Sequence, residues 1–295
     1  MPIVAHVPAS SANLGPGFDC LGLAVDLHCT VTAVRADRDR FTYRGNGHVP
    51  DTPDNLVHEG FRAVHERLGL PAPPIHVDVD NAIPLARGLG SSSAALVAGA
   101  LIGDHASGGR LGREGAFQLV ADVEGHPDNV APTLFGGFTV SSRDDLAWRT
   151  RVLAWPEDWR LAFAVPAFEL STEHARSVLP STLTRSDAVR TASRTALWTV
   201  AVLQRDPTLL PLASSDVAHE PYRSPLLPGF QEAREALRQR GAWAAFLSGA
   251  GPTLGVVCHD DVLPRCAEAL QRYAGADGRV LTPAIGQAAT VDGAL

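Results

Sequence analysis

The sequence predicts an α+β fold, in which long strands and scattered helices follow one another without a regular βαβ repeat. Residues 20–35 are rich in Val, Leu and Thr and predict one long strand. Residues 94–105 form an apolar run that is long enough for a buried helix. Around residues 154–158 the composition turns to Trp and Pro. This change predicts two domains, spanning residues 1–155 and 156–295.

The remaining elements of the first half follow from periodicity and turn residues. Residues 44–54 are rich in turn formers, and 55–68 show helical spacing through Leu56, Phe61, Val64 and Leu68. An alternating strand is predicted at 75–79, and a Gly/Ser loop at 88–93 precedes the buried helix. A helix at 113–124 and a strand at 137–141 complete this half.

The second half is predicted to begin with a strand at 160–165 and a helix starting near Ser171. Two further helices are predicted at 187–203 and 230–240. Strands at 244–248 and 253–258 flank a tight Gly-rich turn. A helix at 261–273 and a strand at 279–283 follow.

Composition excludes several classes of protein. No apolar run approaches the roughly 18 residues of a membrane span, and the N-terminus lacks the pattern of a signal peptide. The net charge of −7 argues against a general nucleic-acid or anionic-membrane surface. The four cysteines form no metal-binding or C-x-x-C spacing, so they predict idle thiols in a reducing cytoplasm.

The chain contains no lysine, and all 25 cationic side chains are arginine. This absence excludes a Walker A loop, a protein-kinase ATP site and Schiff-base chemistry, since each of them needs a lysine. Any phosphate bound here must be held by backbone N–H groups, helix dipoles, arginine or a metal ion.

A Gly/Ser loop between a strand and an apolar helix is the strongest local signal for such a phosphate site. Its glycines allow a ligand to approach the backbone closely, and a helix N-terminus attracts anions. Taken alone, the loop is equally well explained as a capped strand-to-helix turn. Its residues are Pro84, Leu85, Ala86, Arg87, Gly88, Leu89, Gly90, Ser91, Ser92, Ser93 and Ala94.

Three segments, at 7–19, 84–94 and 247–253, together resemble the three motifs of the GHMP kinases, in the order and at the spacing of that family. The resemblance implies two α+β domains with the active site in the cleft between them. It also implies ATP along the 84–94 loop, with Mg²⁺ bridging the β- and γ-phosphates.

Finer strings resemble the branch of that family whose acceptor is L-homoserine: 124–132, 170–180 and 220–223, with S-A-N-L-G-P-G-F-D near the N-terminus. The resemblance implies phosphorylation of the homoserine side-chain hydroxyl, a cytoplasmic homodimer, and no nucleic-acid or membrane partner. Two alternatives stay open, namely a kinase for another small acceptor such as a mevalonate-like acid, and an inactive ligand-binding regulator.

Homoserine carries a carboxylate, an ammonium and a hydroxyl, so its site needs groups of both charges. Guanidinium forks match carboxylate geometry, which suits Arg176 and Arg223. The resemblance places Asp19 on the ammonium and has Asn13 hold the amino acid and orient the hydroxyl. Further substrate contacts implied by the family are His126 and Thr172.

The metal and nucleotide residues are predicted less sharply. Ser92 is the predicted loop hydroxyl on the metal, and the acidic ligand is either Asp122 or Glu124 at the end of one helix. Asn55 resembles a position that contacts adenine, although a role at the start of a helix explains it equally well.

No general base is evident. Other members of the family have an aspartate near the position of Asn129, and an amide does not accept a proton usefully. Either Asp128 acts through a water molecule, or the hydroxyl attacks without a strong enzymic base. A loose transition state demands little activation of the nucleophile, which favours the second interpretation. The predicted catalytic residues are Asn13, Asp128, Asn129 and Arg176.

Overall fold

The computed structural model describes all 295 residues, and its larger β-sheet has seven strands. These are β1 (Ile3–Ala12), β2 (Leu21–Arg35), β3 (Arg40–Gly45), β4 (Ile75–Asn81), β5 (Phe138–Arg143), β6 (Trp148–Leu153) and β11 (Thr290–Gly293). The strand order is β11-β1-β2-β4-β3, and β5 pairs with both β2 and β6. The β3–β4 pair is parallel and the other pairs are antiparallel.

A second, antiparallel sheet has four strands in the order β10-β7-β9-β8. Its strands are β7 (Arg160–Val165), β8 (Ala244–Leu247), β9 (Leu254–Cys258) and β10 (Arg279–Leu281). The chain changes sheets between Leu153 and Arg160, and β11 then returns to the first sheet beside β1. The division into two domains at residue 155 stays a prediction.

Helices cover the first sheet, and two of them approach each other through glycine. They are α1 (Leu56–Arg67), α2 (Ser91–Ala106), α3 (Gly112–Glu124) and α4 (Val130–Phe135). A Cβ atom on Gly99 of α2 would lie 2.0 Å from the carbonyl oxygen of Val57 in α1. Only glycine therefore allows the two backbones to pack at this distance, and α2 is buried over most of its length.

The second sheet is apolar on both faces because its strands alternate between two cores. In β7, Leu161 and Phe163 pack into the core of the first sheet, whereas Ala162 and Ala164 face α9 and α10. The helices of this half are α5 (Thr172–Ser177), α6 (Arg185–Gln204), α7 (Leu210–Ala213), α8 (Glu220–Arg223), α9 (Phe230–Gln239) and α10 (Leu263–Ala274), with 3₁₀ turns at Pro207–Leu209 and Ser224–Leu226.

The predicted α+β class is confirmed, and the predicted elements are present with small differences at their ends. The loop predicted at 88–93 is wrong for its last three residues, because α2 begins at Ser91 rather than residue 94. Gly90 is the N-cap, with a φ of 68°, so the serines occupy the first helical turn and do not cap it. The elements that were not predicted are β1, β3, β6, β11, α4, α7 and α8.

No helix has the combination of length and apolarity that crossing a membrane requires.

Candidate active site

A cleft of about 390 Å³ opens where the loop before α2, the end of α3, helix α5 and the end of α8 converge. Most of the predicted site residues line it. They are Asn13, Asp19, the loop from Ala86 to Ser92, Glu124, His126, Asp128, Asn129, Thr172, Arg176 and Arg223. The predicted residues outside its lining are Asn55, Pro84, Leu85, Ser93, Ala94 and Asp122.

An apolar cavity of about 160 Å³ adjoins the cleft and shares Ser91 and Ser92 with it. Asn55 and Leu85 line this second cavity. The Asn55 side chain also caps α1, since its Oδ1 accepts hydrogen bonds from the N–H groups of Val57 and His58, each at 3.1 Å. The helix-start interpretation of Asn55 therefore fits, while its contact with a base stays a prediction.

The loop before α2 is held by close contacts on both sides, which fixes its backbone. A Cβ atom on Gly88 would lie 2.2 Å from the carbonyl oxygen of Ser248, and one on Gly90 would lie 2.1 Å from Ser10 Oγ. Both glycines have positive φ values, of 74° and 68°. The N-terminus of the 16-residue helix α2 thus faces the cleft behind two glycines, an arrangement that suits an anion.

Asp19 and Arg176 face each other at the end of the cleft formed by α5 and α8. Arg176 Nη2 donates to Asp19 Oδ1 at 2.6 Å, and Nη1 donates to Oδ2 at 3.1 Å. The hydrogen bond to Asp19 raises the pKa of Arg176. Thr172 lies one turn earlier in α5, behind a Ser171 cap that accepts the N–H of His174.

Arg223 is only 1% exposed, although it also lines the cleft. Its guanidinium donates to the carbonyl oxygens of Ala175 and Gly249 and to His219 Nδ1. Burial, reinforced by the nearby Arg176 charge, lowers the pKa of Arg223 to about 10, which leaves it charged at neutral pH.

Asn13 is buried and connects the segment 7–19 to the segment 247–253. Its Nδ2 donates to the carbonyl oxygen of Gly249 at 3.0 Å, and its Oδ1 accepts the N–H of Asp19 at 3.0 Å. Asn13 and Asp19 both have left-handed backbones, with φ values of 69° and 54°. Such strain outside glycine is concentrated at functional sites, which agrees with their position in the cleft.

His126 and Asp128 form a hydrogen-bonded pair at the floor of the cleft. His126 Nδ1 lies 2.8 Å from Asp128 Oδ1, and Asp128 is 2% exposed. Burial alone would lower the pKa of His126, but the bond to Asp128 and the charge of Glu124 outweigh it and raise the pKa. Asn129 Nδ2 donates to Ser10 Oγ at 3.0 Å, so this amide already has a partner.

The two candidate acids at the end of α3 have different surroundings. Glu124 is buried beside the loop, where its carboxylate accepts a hydrogen bond of 2.5 Å from Ser93 Oγ. Burial raises the pKa of Glu124, while Ser93, His126 and the nearby Ser92 oppose the shift. Asp122 points elsewhere, towards Trp148 Nε1 at 3.0 Å and Arg143 at 3.3 Å.

Sequence reasoning missed two residues of the acceptor end. Phe18 lies under both guanidinium groups, with ring-to-Cζ distances of 5.2 Å to Arg176 and 5.4 Å to Arg223. His219 is fully buried, and its Nε2 lies 2.7 Å from the carbonyl oxygen of Gly15. Phe18 lies within the S-A-N-L-G-P-G-F-D string and His219 directly precedes the 220–223 string, and these positions were the available signal.

Comparisons with known proteins agree with this geometry. The model of the GHMP kinase N-terminal domain matches residues 55–137, and that of the GHMP kinase C-terminal region matches residues 200–276. A homoserine kinase of Thermus thermophilus is 48% identical over 282 residues, which cover 96% of each chain. A homoserine kinase of Deinococcus radiodurans is 41% identical, with 98% of this chain and 96% of that one covered.

Among solved structures, the crystal structure of homoserine kinase from Cytophaga hutchinsonii superposes with a TM-score of 0.88 at 28% identity, covering 99% of this chain and 97% of that one. The sequence identities, the coverage of nearly the whole chain and the shared architecture lead to one conclusion. The chain belongs to the homoserine kinases of the GHMP kinase family.

Proposed function

We propose that this protein transfers the γ-phosphoryl group of ATP to the side-chain hydroxyl of L-homoserine, a step of threonine biosynthesis that yields O-phospho-L-homoserine. The observation that carries the proposal is the charge pattern of the cleft. Asp19 stands opposite Arg176 and Arg223 at one end, and the N-terminus of α2, capped by Gly90, lies at the other. A zwitterionic acceptor and a polyanionic donor match these two ends.

The nucleotide lies along the loop from Pro84 to Ala94, with its phosphates at the N-terminus of α2. Positive φ at Gly88 and Gly90 exposes backbone N–H groups there. The apolar cavity beside Ser91 and Ser92 has room for the base, with Asn55 at its edge. Without a lysine, this chain neutralises phosphate charge through backbone N–H groups and a metal ion.

Glu124 and Ser92 are the residues that would hold Mg²⁺, and both fit such an ion. Oxygen ligands are those that Mg²⁺ prefers, and the Glu124 side chain is only 7% exposed, with its carboxylate 3.9 Å from His126. When bound, the ion supplies neutralisation of the charge on the β- and γ-phosphates. Asp122 is the weaker candidate, because Arg143 and Trp148 already engage its carboxylate.

The acceptor binds between α5 and α8. Arg176 and Arg223 hold its carboxylate, Asp19 holds its ammonium, and Thr172 and His126 line the remaining wall. Asn13 fixes Asp19 through the backbone and orients the hydroxyl. Phosphoryl transfer depends mainly on positioning, so the hydroxyl attacks without a strong base while Asp128 and Asn129 keep the cleft floor in place.

A coupled ADP-release assay tests this proposal. Turnover is measured with homoserine, mevalonate, shikimate and galactose at equal concentrations, in the presence of ATP and Mg²⁺. Homoserine should give the highest kcat/KM by at least about 100-fold, since an acceptor without an ammonium leaves the Asp19 carboxylate without the partner that homoserine would supply. Equal or greater turnover of mevalonate would reject homoserine as the substrate, and no ATP turnover at all would favour a ligand-binding regulator.

We also infer from the family a homodimer and a cytoplasmic location. Size-exclusion chromatography with light scattering tests the first, and cell fractionation tests the second.

A further inference from the structure

Arg87 lies in the middle of the phosphate loop and lines the cleft, yet its guanidinium donates to the backbone that follows β7 of the second sheet. Nε donates to the carbonyl oxygen of Pro166 at 3.1 Å, and Nη2 donates to that of Ala167 at 2.5 Å. Nη1 donates to the carbonyl oxygen of Leu85 at 2.5 Å and lies 3.3 Å from Glu169 Oε1. Each nitrogen of the fork therefore has a partner.

The segment that Arg87 contacts connects the second sheet to the acceptor site. Val165 ends β7, and residues 166–171 lead directly into α5, which carries Thr172 and Arg176. A backbone hydrogen bond of 3.2 Å, from Leu170 N–H to the carbonyl oxygen of Ala86, runs beside the arginine. The loop that would hold nucleotide and the segment leading to the helix that would hold acceptor are thus connected through Ala86 and Arg87.

The geometry of this connection has a mechanical consequence. Ala86 has a left-handed backbone, with a φ of 52°, so the loop on this side is not held by its own preferred conformation. A guanidinium fork fixes both distance and orientation between two backbone segments, which a single hydrogen bond does not. A shift of the loop on nucleotide binding would therefore be transmitted to 166–171.

We propose that Arg87 is a positioning residue that couples nucleotide binding at the phosphate loop to acceptor binding at α5. The inference rests on the proposed function, since it assigns nucleotide and acceptor to the two ends of the cleft. In this proposal the Arg87 side chain does not contact the phosphates. It connects the nucleotide end of the cleft to the acceptor end. The coupling is reciprocal, so each ligand raises affinity for the other by the same factor.

Isothermal titration calorimetry measures this factor directly. The Kd of β,γ-methylene-ATP with Mg²⁺ is determined without and with saturating homoserine, and the Kd of homoserine without and with the analogue. The wild-type protein should show a factor of about 5 or more, the lower end of typical coupling. Arg87→Met, which keeps the aliphatic stem, should reduce the factor to below about 2-fold while each ligand still binds alone.

A matched control is Arg160→Met. Arg160 also forms a fork, with bonds of 2.6 Å and 2.7 Å to Asp260, but both partners belong to the second half. It should retain the wild-type coupling factor. A residue with only a structural role would lower the melting temperature without changing that factor, so both quantities are measured for each variant.

Two results would overturn the inference: an unchanged factor in Arg87→Met, or a wild-type protein without coupling. If Arg87→Met does not fold, as judged by near-UV circular dichroism, Arg87→Lys decides the question. A lysine cannot reproduce the fork, so coupling within about 2-fold of wild type in that variant would also reject it. Failure of the proposed function is distinguishable, because it would appear as absence of homoserine-dependent ADP release by the wild-type protein.

Discussion

Arg176 and Asp19 form a two-point ion pair across the acceptor end of the cleft, with N–O distances of 2.6 Å and 3.1 Å. Their side chains are 37% and 33% exposed, so the pair itself contributes little to stability. A zwitterionic amino acid can replace it by exchange of partners, its carboxylate taking Arg176 and its ammonium taking Asp19. The free site is therefore held in order by the same charges that the substrate would use.

The first prediction concerns this exchange. Arg176→Ala should raise KM for homoserine by about 10-fold or more, because a hydrogen bond to a charged group contributes about 1.5–3 kcal/mol. KM for ATP should change by less than about 2-fold. The matched control is Arg190→Ala, because Arg190 is an exposed arginine of α6 that pairs with Asp187. Steady-state kinetics measures both constants. An equal rise in the two KM values would reject the assignment of Arg176 to the acceptor.

Arg223→Ala should also raise KM for homoserine, but it should destabilise the protein as well. The buried guanidinium donates to Ala175, Gly249 and His219. Its loss removes the donor from all three acceptors, of which only the Gly249 carbonyl keeps a second donor, Asn13 Nδ2. We expect a decrease of about 2 kcal/mol or more in the free energy of unfolding in urea. Arg176→Ala, being more exposed, should lose less than about 1 kcal/mol. Equal losses would mean that Arg223 is not fixed as described.

Sequence reasoning predicted the main elements and most of the cleft, but not how side chains share their partners. Patterns of apolar residues fix which segments are strands and helices, and three motifs identified residues that the fold brings together. Short elements were missed where the pattern is weak, as in β6, whose centre is the polar run Arg149, Thr150 and Arg151, and α4, which contains Pro132.

The choice between Asp122 and Glu124 shows why the sequence alone was insufficient. The two acids are two residues apart on one helix, so they point in different directions, and only the packing of α3 decides which one faces the loop. Likewise, Arg87 lies within a phosphate motif, but its side chain follows the partners that the second sheet offers. Such contacts depend on segments about 80 residues apart.

A third prediction separates these two acids. Glu124→Gln should lower kcat by about 100-fold or more at millimolar Mg²⁺, because the amide keeps the shape but removes the charge that attracts the ion. Asp122→Asn should change kcat by less than about 2-fold, since its partners Arg143 and Trp148 lie outside the cleft lining. Activity is titrated against Mg²⁺ for each variant. A larger loss in Asp122→Asn would reverse the assignment.

A fourth prediction concerns Glu220, which is fully buried next to Arg234. Burial raises the pKa of its carboxyl from 4.5 to about 7. A raised pKa in the folded state stabilises the protein at low pH, and this contribution is lost as the pH rises from about 4.5 through about 7. We therefore compare the free energy of unfolding of the wild-type protein with that of Glu220→Gln. The wild-type value minus the variant value should fall across this pH window, by up to about 3 kcal/mol.

Urea denaturation at several pH values measures that difference. Glu220→Gln retains an oxygen that can accept the N–H of Leu247, now 2.7 Å from the carboxylate, so the strand end should stay in place. Glu235→Gln, on the exposed side of α9, is the matched control and should show no such trend. A difference that is constant or grows between pH 4.5 and 7 would contradict the raised pKa of the Glu220 carboxyl.

The fifth prediction concerns the missing base. Asp128 is buried and bonded to His126, and the neighbouring Asn129 is an amide that donates to Ser10. If no residue abstracts the proton fully, Asp128→Asn should lose activity only through misplacement of this segment, by about 10-fold. An essential general base contributes about 10²–10⁴-fold, so a loss of that size would contradict a mechanism without a base.

The pH profile of kcat gives an independent test of the same mechanism, measured at saturating Mg²⁺, ATP and homoserine. Without a titrating base, kcat should show no acidic limb that belongs to one carboxylate, once the protonation of nucleotide and metal is allowed for. Subsaturating substrate would confuse the result, because a disordered segment between His126 and Asn129 weakens binding and imitates a chemical defect. His126→Gln is the control for the pair, since it removes the imidazole while leaving Asp128 in place. An acidic pKa in kcat that is present in wild type and in His126→Gln but absent in Asp128→Asn, with both substrates bound normally, would make Asp128 the base.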